Sequence, residues 1–297
     1  MNISLETRPG VKHSKRVWNW ALAAALALAA FGWVYYYEPL QTGAYSSYWN
    51  DKITDAITLL AVFAAAGLSL NLTRHYAPSE PPRRVWATFT LGWWAWAASE
   101  SLGFIYDYFY WYKSYPDYTV PEITVMDAFW LLGYFFFGLS LYHQFRLIYR
   151  AKGGQKIAAY LLFIAAILLA AFGLTRWALD AGLGSGNTWE GMYLGILYPV
   201  LDLLEGAAAL WLFFLFGLGY LGRPWWGLIL FAFADGIATF FWLGGYNWVS
   251  DQAYYTLDLL ANLIYLAGYA LTALALLAAH EHIERGITAE TQNAPQP

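Results

Sequence analysis

The run Tyr198-Pro199-Val200-Leu201-Asp202-Leu203-Leu204-Glu205-Gly206-Ala207-Ala208-Ala209-Leu210-Trp211-Leu212-Phe213-Phe214-Leu215-Phe216 holds two carboxylates, no basic residue and almost nothing else that is polar. It lies within Gly191–Gly217, long enough to cross a bilayer as a helix. An Asp at the centre of such a helix costs about 2.5–3.5 kcal/mol on translocon scales, so it faces a bundle interior or a wet cavity and marks a candidate site. Asp202 and Glu205 are three residues apart and share a helix face. The same pattern recurs along the chain, where Asp55, Glu100, Asp127, Asp235 and Asp258 also sit in apolar, helix-length stretches.

Composition agrees. The 297 residues are 60% hydrophobic and 12% charged, about half the charged share of soluble domains. The 17 Trp, 24 Tyr and 19 Phe suit the aromatic belts of a membrane protein. With no Cys, disulfides, thiolate metal sites and Cys nucleophiles are excluded. Eight spans can be drawn: Val17–Tyr36, Ile53–Leu72, Val85–Tyr106, Val125–Ile148, Ile157–Ala178, Gly191–Gly217, Trp225–Tyr246 and Tyr254–Ala279. With both termini in the cytoplasm, 13 of the 16 Lys and Arg fall inside, and only Lys52, Lys113 and Arg176 fall outside. The expectation is an all-α integral membrane protein with eight transmembrane helices in a prokaryotic cytoplasmic (inner) membrane. The first span resembles a secretory signal in its basic start and Ala/Leu core. Trp33 and Tyr35 to Tyr37 read instead as an interfacial anchor that stays with the protein.

Two halves echo each other. Glu100 and Asp235 sit in similar contexts, and Asp127 and Asp258 each precede a tyrosine by seven residues, Tyr134 and Tyr265. Asp55 and Asp202 occupy matching parts of spans two and six. A four-helix unit used twice in the same orientation accounts for this. The expected organisation is a basic tail over 1–16, membrane units over 17–150 and 151–280, and a disordered polar tail over 281–297.

The acids concentrate in the outer half of the membrane, with aromatics on the same faces. Asp258, Asn262, Tyr265 and Tyr269 form one stripe. Glu100 aligns with Trp93, Trp96 and Phe104, and Asp235 with Thr239, Trp242 and Tyr246. Clustered carboxylates without partners cannot all stay ionised, so some are protonated and bonded to Tyr, Trp, Asn or Thr, or a cation neutralises them. An organic cation suits both acids and rings, whereas a hard metal ion such as Ca²⁺ needs six to eight oxygens. Two plainer readings compete. Asp55, Asp127 and Asp258 can cap helix N-termini, and Glu100, Asp202, Glu205 and Asp235 can be neutral carboxyls that staple helices together.

The expected binding set is therefore Glu100, Asp202, Glu205, Asp235, Asp127, Asp258, Asn262, Tyr134, Tyr265, Trp96 and Trp242, with no catalytic residue, no metal and no identified cofactor. His143, His280 and His282 read as interfacial, since no paired-His spacing lies within a span. The absence of a Lys within the drawn spans excludes a retinal Schiff base. No Walker, GxGxxG, His-Glu-x-x-His or Ser–His–Asp pattern is present, and the basic residues are accounted for by topology rather than nucleic acid. Pro199 is expected to kink the sixth span beside Asp202. Gly103, Gly133, Gly138, Gly236 and Gly268 are expected to let helices approach closely.

Tyr198-Pro199-Val200-Leu201-Asp202, Ala232-Phe233-Ala234-Asp235 and Asp258 with Tyr265 and the Ala/Leu-rich Gly268–Ala279 stretch resemble the multi-span membrane regions found N-terminal to bacterial diguanylate cyclase or histidine kinase domains. That resemblance implies a sensor or accessory subunit that passes a change to a membrane or cytoplasmic signalling partner. The resemblance does not identify the ligand; the acids and aromatic faces are what suggest a small cationic or lipophilic molecule in an outward-facing cavity. A proton- or cation-coupled transporter and an acid/base enzyme acting on a lipid or isoprenoid are the alternatives.

Overall fold

The computed structural model describes residues 15–40, 46–106, 123–148, 172–173, 175, 189–216, 223–242 and 249–293. Seven α-helices and one 3₁₀ turn account for nearly all of them, and no strand occurs among the described residues. The helices are α1 (Lys15–Tyr37), α2 (Ser46–Arg74), α3 (Pro81–Tyr106), α4 (Val125–Ile148), α5 (Trp189–Phe216), α6 (Trp226–Trp242) and α7 (Asp251–Asn293), with the 3₁₀ turn at Arg223–Trp225.

Local chemistry sets their starts. Pro81 opens α3 where a missing N–H costs nothing. Thr124 and Asp127 form a capping box on α4: Thr124 Oγ accepts from the Met126 N–H at 3.2 Å, and the Asp127 carboxylate accepts from the Thr124 N–H at 2.7 Å. Ser250 Oγ accepts the Ala253 N–H at 3.3 Å and so caps α7.

Among the described residues, six helices are long and apolar enough to cross a membrane: Lys15–Tyr37, Tyr48–Arg74, Val125–Leu147, Tyr193–Phe213, Arg223–Phe241 and Asp251–Glu284. That corrects the expected eight. The expected span Ile157–Ala178 falls almost entirely outside the described residues. The expected span Val85–Tyr106 is helical, but Trp, Ser, Thr and Glu100 dilute its apolar character. Its position explains why it tolerates them: Val85, Trp86, Phe89, Trp93, Trp96, Ala97 and Ser99 are all buried, so much of α3 meets protein rather than lipid. Lys52 is a second correction. It lies inside α2, not in a loop, and only 8% of its side chain is exposed. The polar segment from Glu281 to Asn293, expected to lack order, continues α7 as helix.

Helices α2, α3, α4, α5, α6 and α7 contact one another in sequence and close into a ring, because α7 also packs on α2; α1 lies outside against α2 and α7. One end of the ring is filled by rings of another kind. Trp86, Phe89, Trp93, Phe137, Trp225 and Phe231 are each at most 1% exposed. Phe89 and Trp225 meet edge-on at 4.8 Å between centroids, and Trp93 and Phe137 at 5.2 Å. This end also carries Arg74, Arg83, Arg84, Arg146 and Arg223 at helix termini. Gly227 and Gly268 bring α6 onto α7 here: a Cβ on Gly268 would stand 2.6 Å from the Phe231 ring, and one on Gly227 would stand 2.1 Å from Thr272 Oγ. Gly92 and Gly133 do the same between α3 and α4. Gly236, by contrast, has nothing within 4 Å of its would-be Cβ, so the expected close approach does not occur there.

Candidate functional site

The other end of the ring is hollow. A cavity of about 730 Å³ is lined from all seven helices: Phe31 and Tyr35 (α1), Asp51, Thr54, Asp55 and Thr58 (α2), Trp96 and Glu100 (α3), Asp127, Trp130 and Tyr134 (α4), Leu194, Gly195, Tyr198 and Pro199 (α5), Asp235, Ala238 and Thr239 (α6), and Asn262, Tyr265 and Tyr269 (α7). These residues fall late in α1, α3 and α6 and early in α2, α4, α5 and α7, as an end-on pocket in an up-and-down bundle requires.

Tyrosine hydroxyls hold the carboxylates. Tyr134 donates to Asp202 at 2.6 Å, Tyr198 to Asp127 at 2.7 Å and Tyr269 to Glu100 at 2.9 Å. Tyr265 donates to Asp235, and Tyr35 to Asp258. The Tyr269 oxygen accepts in turn from Trp96 Nε1 at 2.8 Å, so an indole, a phenol and Glu100 form a chain across α3 and α7. Asp202 and Asp235 are neighbours in the bundle, each with one oxygen bonded to a tyrosine. The Oδ2 atom of each is buried with no donor among the described residues. Two buried carboxylates so placed cannot both carry charge at low cost. The buried face of the site is therefore acidic and under-satisfied.

Of the expected residues, Glu100, Asp127, Asp235, Asn262, Tyr134, Tyr265 and Trp96 share the cavity wall. Asp202 is 3% exposed and sits just behind it, bonded to the lining Tyr134. Glu205 lies one turn deeper against Gly138, whose would-be Cβ is 3.6 Å from Glu205 Oε1. Asp258 is outside the lining and is bonded to Tyr35; Asn262 donates to the Asp258 carbonyl at 2.9 Å. Trp242 ends α6, and its side chain lies outside the described residues. The capping alternative holds for Asp127 alone, and its second oxygen still reaches Tyr198. Asp55 and Asp258 lie well inside α2 and α7, too far from the helix starts to cap them.

Residues outside the expected binding set line or border the cavity. Lys52 bonds Asp55 at 3.1 Å and the Phe104 carbonyl at 2.9 Å, with its ammonium 4.3 Å from the Phe104 ring centroid. Tyr198 and Tyr269 each clasp an acid, and Trp130 and Tyr198 meet edge-on at 6.4 Å. Tyr269 extends the Asp258–Asn262–Tyr265 stripe by four residues, as its spacing in the sequence places it. Pro199 stays within the helix and is buried; lacking an N–H, it leaves the Gly195 carbonyl without its helical donor, and both residues line the cavity. Among the described residues, no three acidic groups of the cavity come close enough to share one metal ion. The chemistry on offer is several separated negative or proton-sharing groups amid aromatic faces, suited to an extended cation rather than a compact one. No family model, curated protein or solved structure matches the chain.

Proposed function

We propose that this chain is a multi-pass protein of a prokaryotic cytoplasmic membrane that binds a small organic cation in its acidic, aromatic cavity and acts as a sensor or accessory subunit. The placement of the cluster of basic residues at the opposite end supports a cavity that opens outward, under the positive-inside rule. The matching Asp–Tyr spacings, Asp127 with Tyr134 and Asp258 with Tyr265, are consistent with two related units, whose relative movement would carry the signal. A membrane or cytoplasmic signalling partner would read that movement.

One observation carries the reading. Five lining carboxylates, Asp51, Asp55, Glu100, Asp127 and Asp235, share a wall with the rings of Tyr35, Trp96, Trp130, Tyr134, Tyr198, Tyr265 and Tyr269. A cation entering there gains charge pairing and ring contact together. It would compete with the tyrosine hydroxyls for the acids. The clasps Tyr134–Asp202 and Tyr198–Asp127 both bridge α4 and α5, so their exchange for a ligand would loosen that seam. The packed aromatic layer below the cavity favours binding over passage through the bundle, because Phe89, Trp93 and Phe137 are fully buried between the cavity and the basic end.

The test uses purified protein in nanodiscs titrated with tetramethylammonium, choline and spermidine, read by tryptophan fluorescence and calorimetry. At least one cation should bind, anionic analogues should not, and Asp235→Asn and Glu100→Gln should each weaken binding about tenfold or more, the effect of about 1.4 kcal/mol in one charge contact. Absence of cation binding, or unchanged affinity in both variants, contradicts the proposal. Cation flux in proteoliposomes would favour the transporter alternative.

A further inference from the structure

At the basic end, away from the cavity, three side chains with metal-ligand chemistry meet. His75 lies in the turn just after α2, while His280 and Glu284 lie one helical turn apart on α7. The imidazoles are 4.6 Å apart between centroids and tilted by 44°. His75 Nε2 and His280 Nδ1 share a hydrogen bond, and His280 Nε2 lies 3.2 Å from Glu284 Oε1. One donor atom from each residue can be chosen so that all three lie within 4.8 Å of one another.

We propose that His75, His280 and Glu284 form a binding site for a divalent transition-metal ion, zinc by preference, that clamps α2 to α7. Two imidazoles and one carboxylate are a borderline donor set suited to Zn²⁺, Ni²⁺ or Cu²⁺ rather than to Mg²⁺ or Ca²⁺. His280 faces His75 through Nδ1 and Glu284 through Nε2, so one ion held by all three at Zn–N distances of about 2.0–2.1 Å needs the His280 ring to turn until a single nitrogen serves both sides, with the exposed Glu284 carboxylate swinging in to meet it. The spacing of His280 and Glu284 puts both on one helical face, and His75 closes the set from the turn that follows α2. Glu284 is 54% exposed, which gives an ion a way in and leaves a coordination position for water.

The anchors are held in place. The His75 N–H donates to the Leu72 carbonyl at 3.2 Å, extending α2 into the turn, and Arg83 ties down the next residue through the Tyr76 carbonyl at 2.6 Å. Arg83 also places a positive charge near the site, which weakens an ion's affinity without removing its ligands. Binding displaces the proton shared by the two imidazoles, so the metal replaces one hydrogen bond with a three-point link between helices. Those same helices supply Asp51, Thr54, Asp55 and Thr58, and Asn262, Tyr265 and Tyr269, to the far cavity.

The experiment is calorimetric titration of ZnCl₂ into the full-length, tag-free protein in detergent after chelator treatment, with the unfolding temperature measured in parallel. One ion should bind per chain and raise the unfolding temperature. His75→Gln, His280→Gln and the exposed Glu284→Gln should each weaken binding about tenfold or more, as loss of even an outer-shell partner commonly does. His143→Gln, on α4, should leave binding unchanged. Co²⁺ should give a visible absorption band of low-coordinate nitrogen and oxygen ligation that is lost in His75→Gln. Absence of a stoichiometric ion in the native chain, or retention of full affinity by folded His75→Gln and Glu284→Gln, overturns the site. The outcome is independent of whether the cavity binds a cation.

Discussion

The two ends of this bundle are built from the same helices and the same aromatic residue types, yet one is full and the other is hollow. At the basic end, Trp86, Phe89, Trp93, Phe137, Trp225 and Phe231 interlock with no accessible space, and glycines let the backbones close. At the acidic end, tyrosines replace tryptophan and phenylalanine as the main contacts, and each hydroxyl is bonded to a carboxylate instead of a second ring. Ring packing leaves no void, whereas hydroxyl–carboxylate pairs hold helices apart around one. The packed end is closed by apolar contact, and the clasped end is held by polar bonds around an open wall.

That contrast can be broken most forcefully at the packed end. Phe89→Ala, which empties a fully buried position, should destabilise the protein by about 3–5 kcal/mol in reversible denaturant unfolding, well beyond the effect of Trp130→Ala on the cavity wall. A comparable loss at Trp130 would mean that the two ends are equally packed. Next in size, Gly268→Ala should cost about 1–3 kcal/mol, because its methyl meets the Phe231 ring and the Gly227 carbonyl. Tyr134→Phe should cost about 1–3 kcal/mol by leaving Asp202 with neither oxygen bonded to a hydroxyl, and it should also loosen the α4–α5 seam in hydrogen exchange. Smallest of all, Gly236→Ala should change stability by no more than about 0.5 kcal/mol, since open space surrounds the new methyl.

Much of this division was legible in the chain. Apolar length marked most of the helices, and charge placement separated a basic end from an acidic one. The i, i+3 and i, i+4 stripes put Glu100 with Trp96 and Asn262 with Tyr265 on common faces. Which acid meets which tyrosine was not legible, because Tyr134–Asp202 and Tyr265–Asp235 bridge 68 and 30 positions. Lys52 looked like a loop residue because polar neighbours surround it, and helix α2 begins earlier than apolarity alone suggests. Helix α3 is less apolar than a lone span because its neighbours, not lipid, cover much of it. His75 and His280 could not be paired from spacing at all, being 205 positions apart.

Because the protein contains no cysteine, single-cysteine labelling addresses the hollow end directly. In right-side-out vesicles, Thr58→Cys and Ala238→Cys, both on the cavity wall, should react with an externally added, membrane-impermeant cationic thiosulfonate, whereas Ala209→Cys, buried in the packed core, should not. Protection of both wall positions from the outside reagent, or their modification from the cytoplasmic side alone, would contradict an acidic cavity that opens to the outer face.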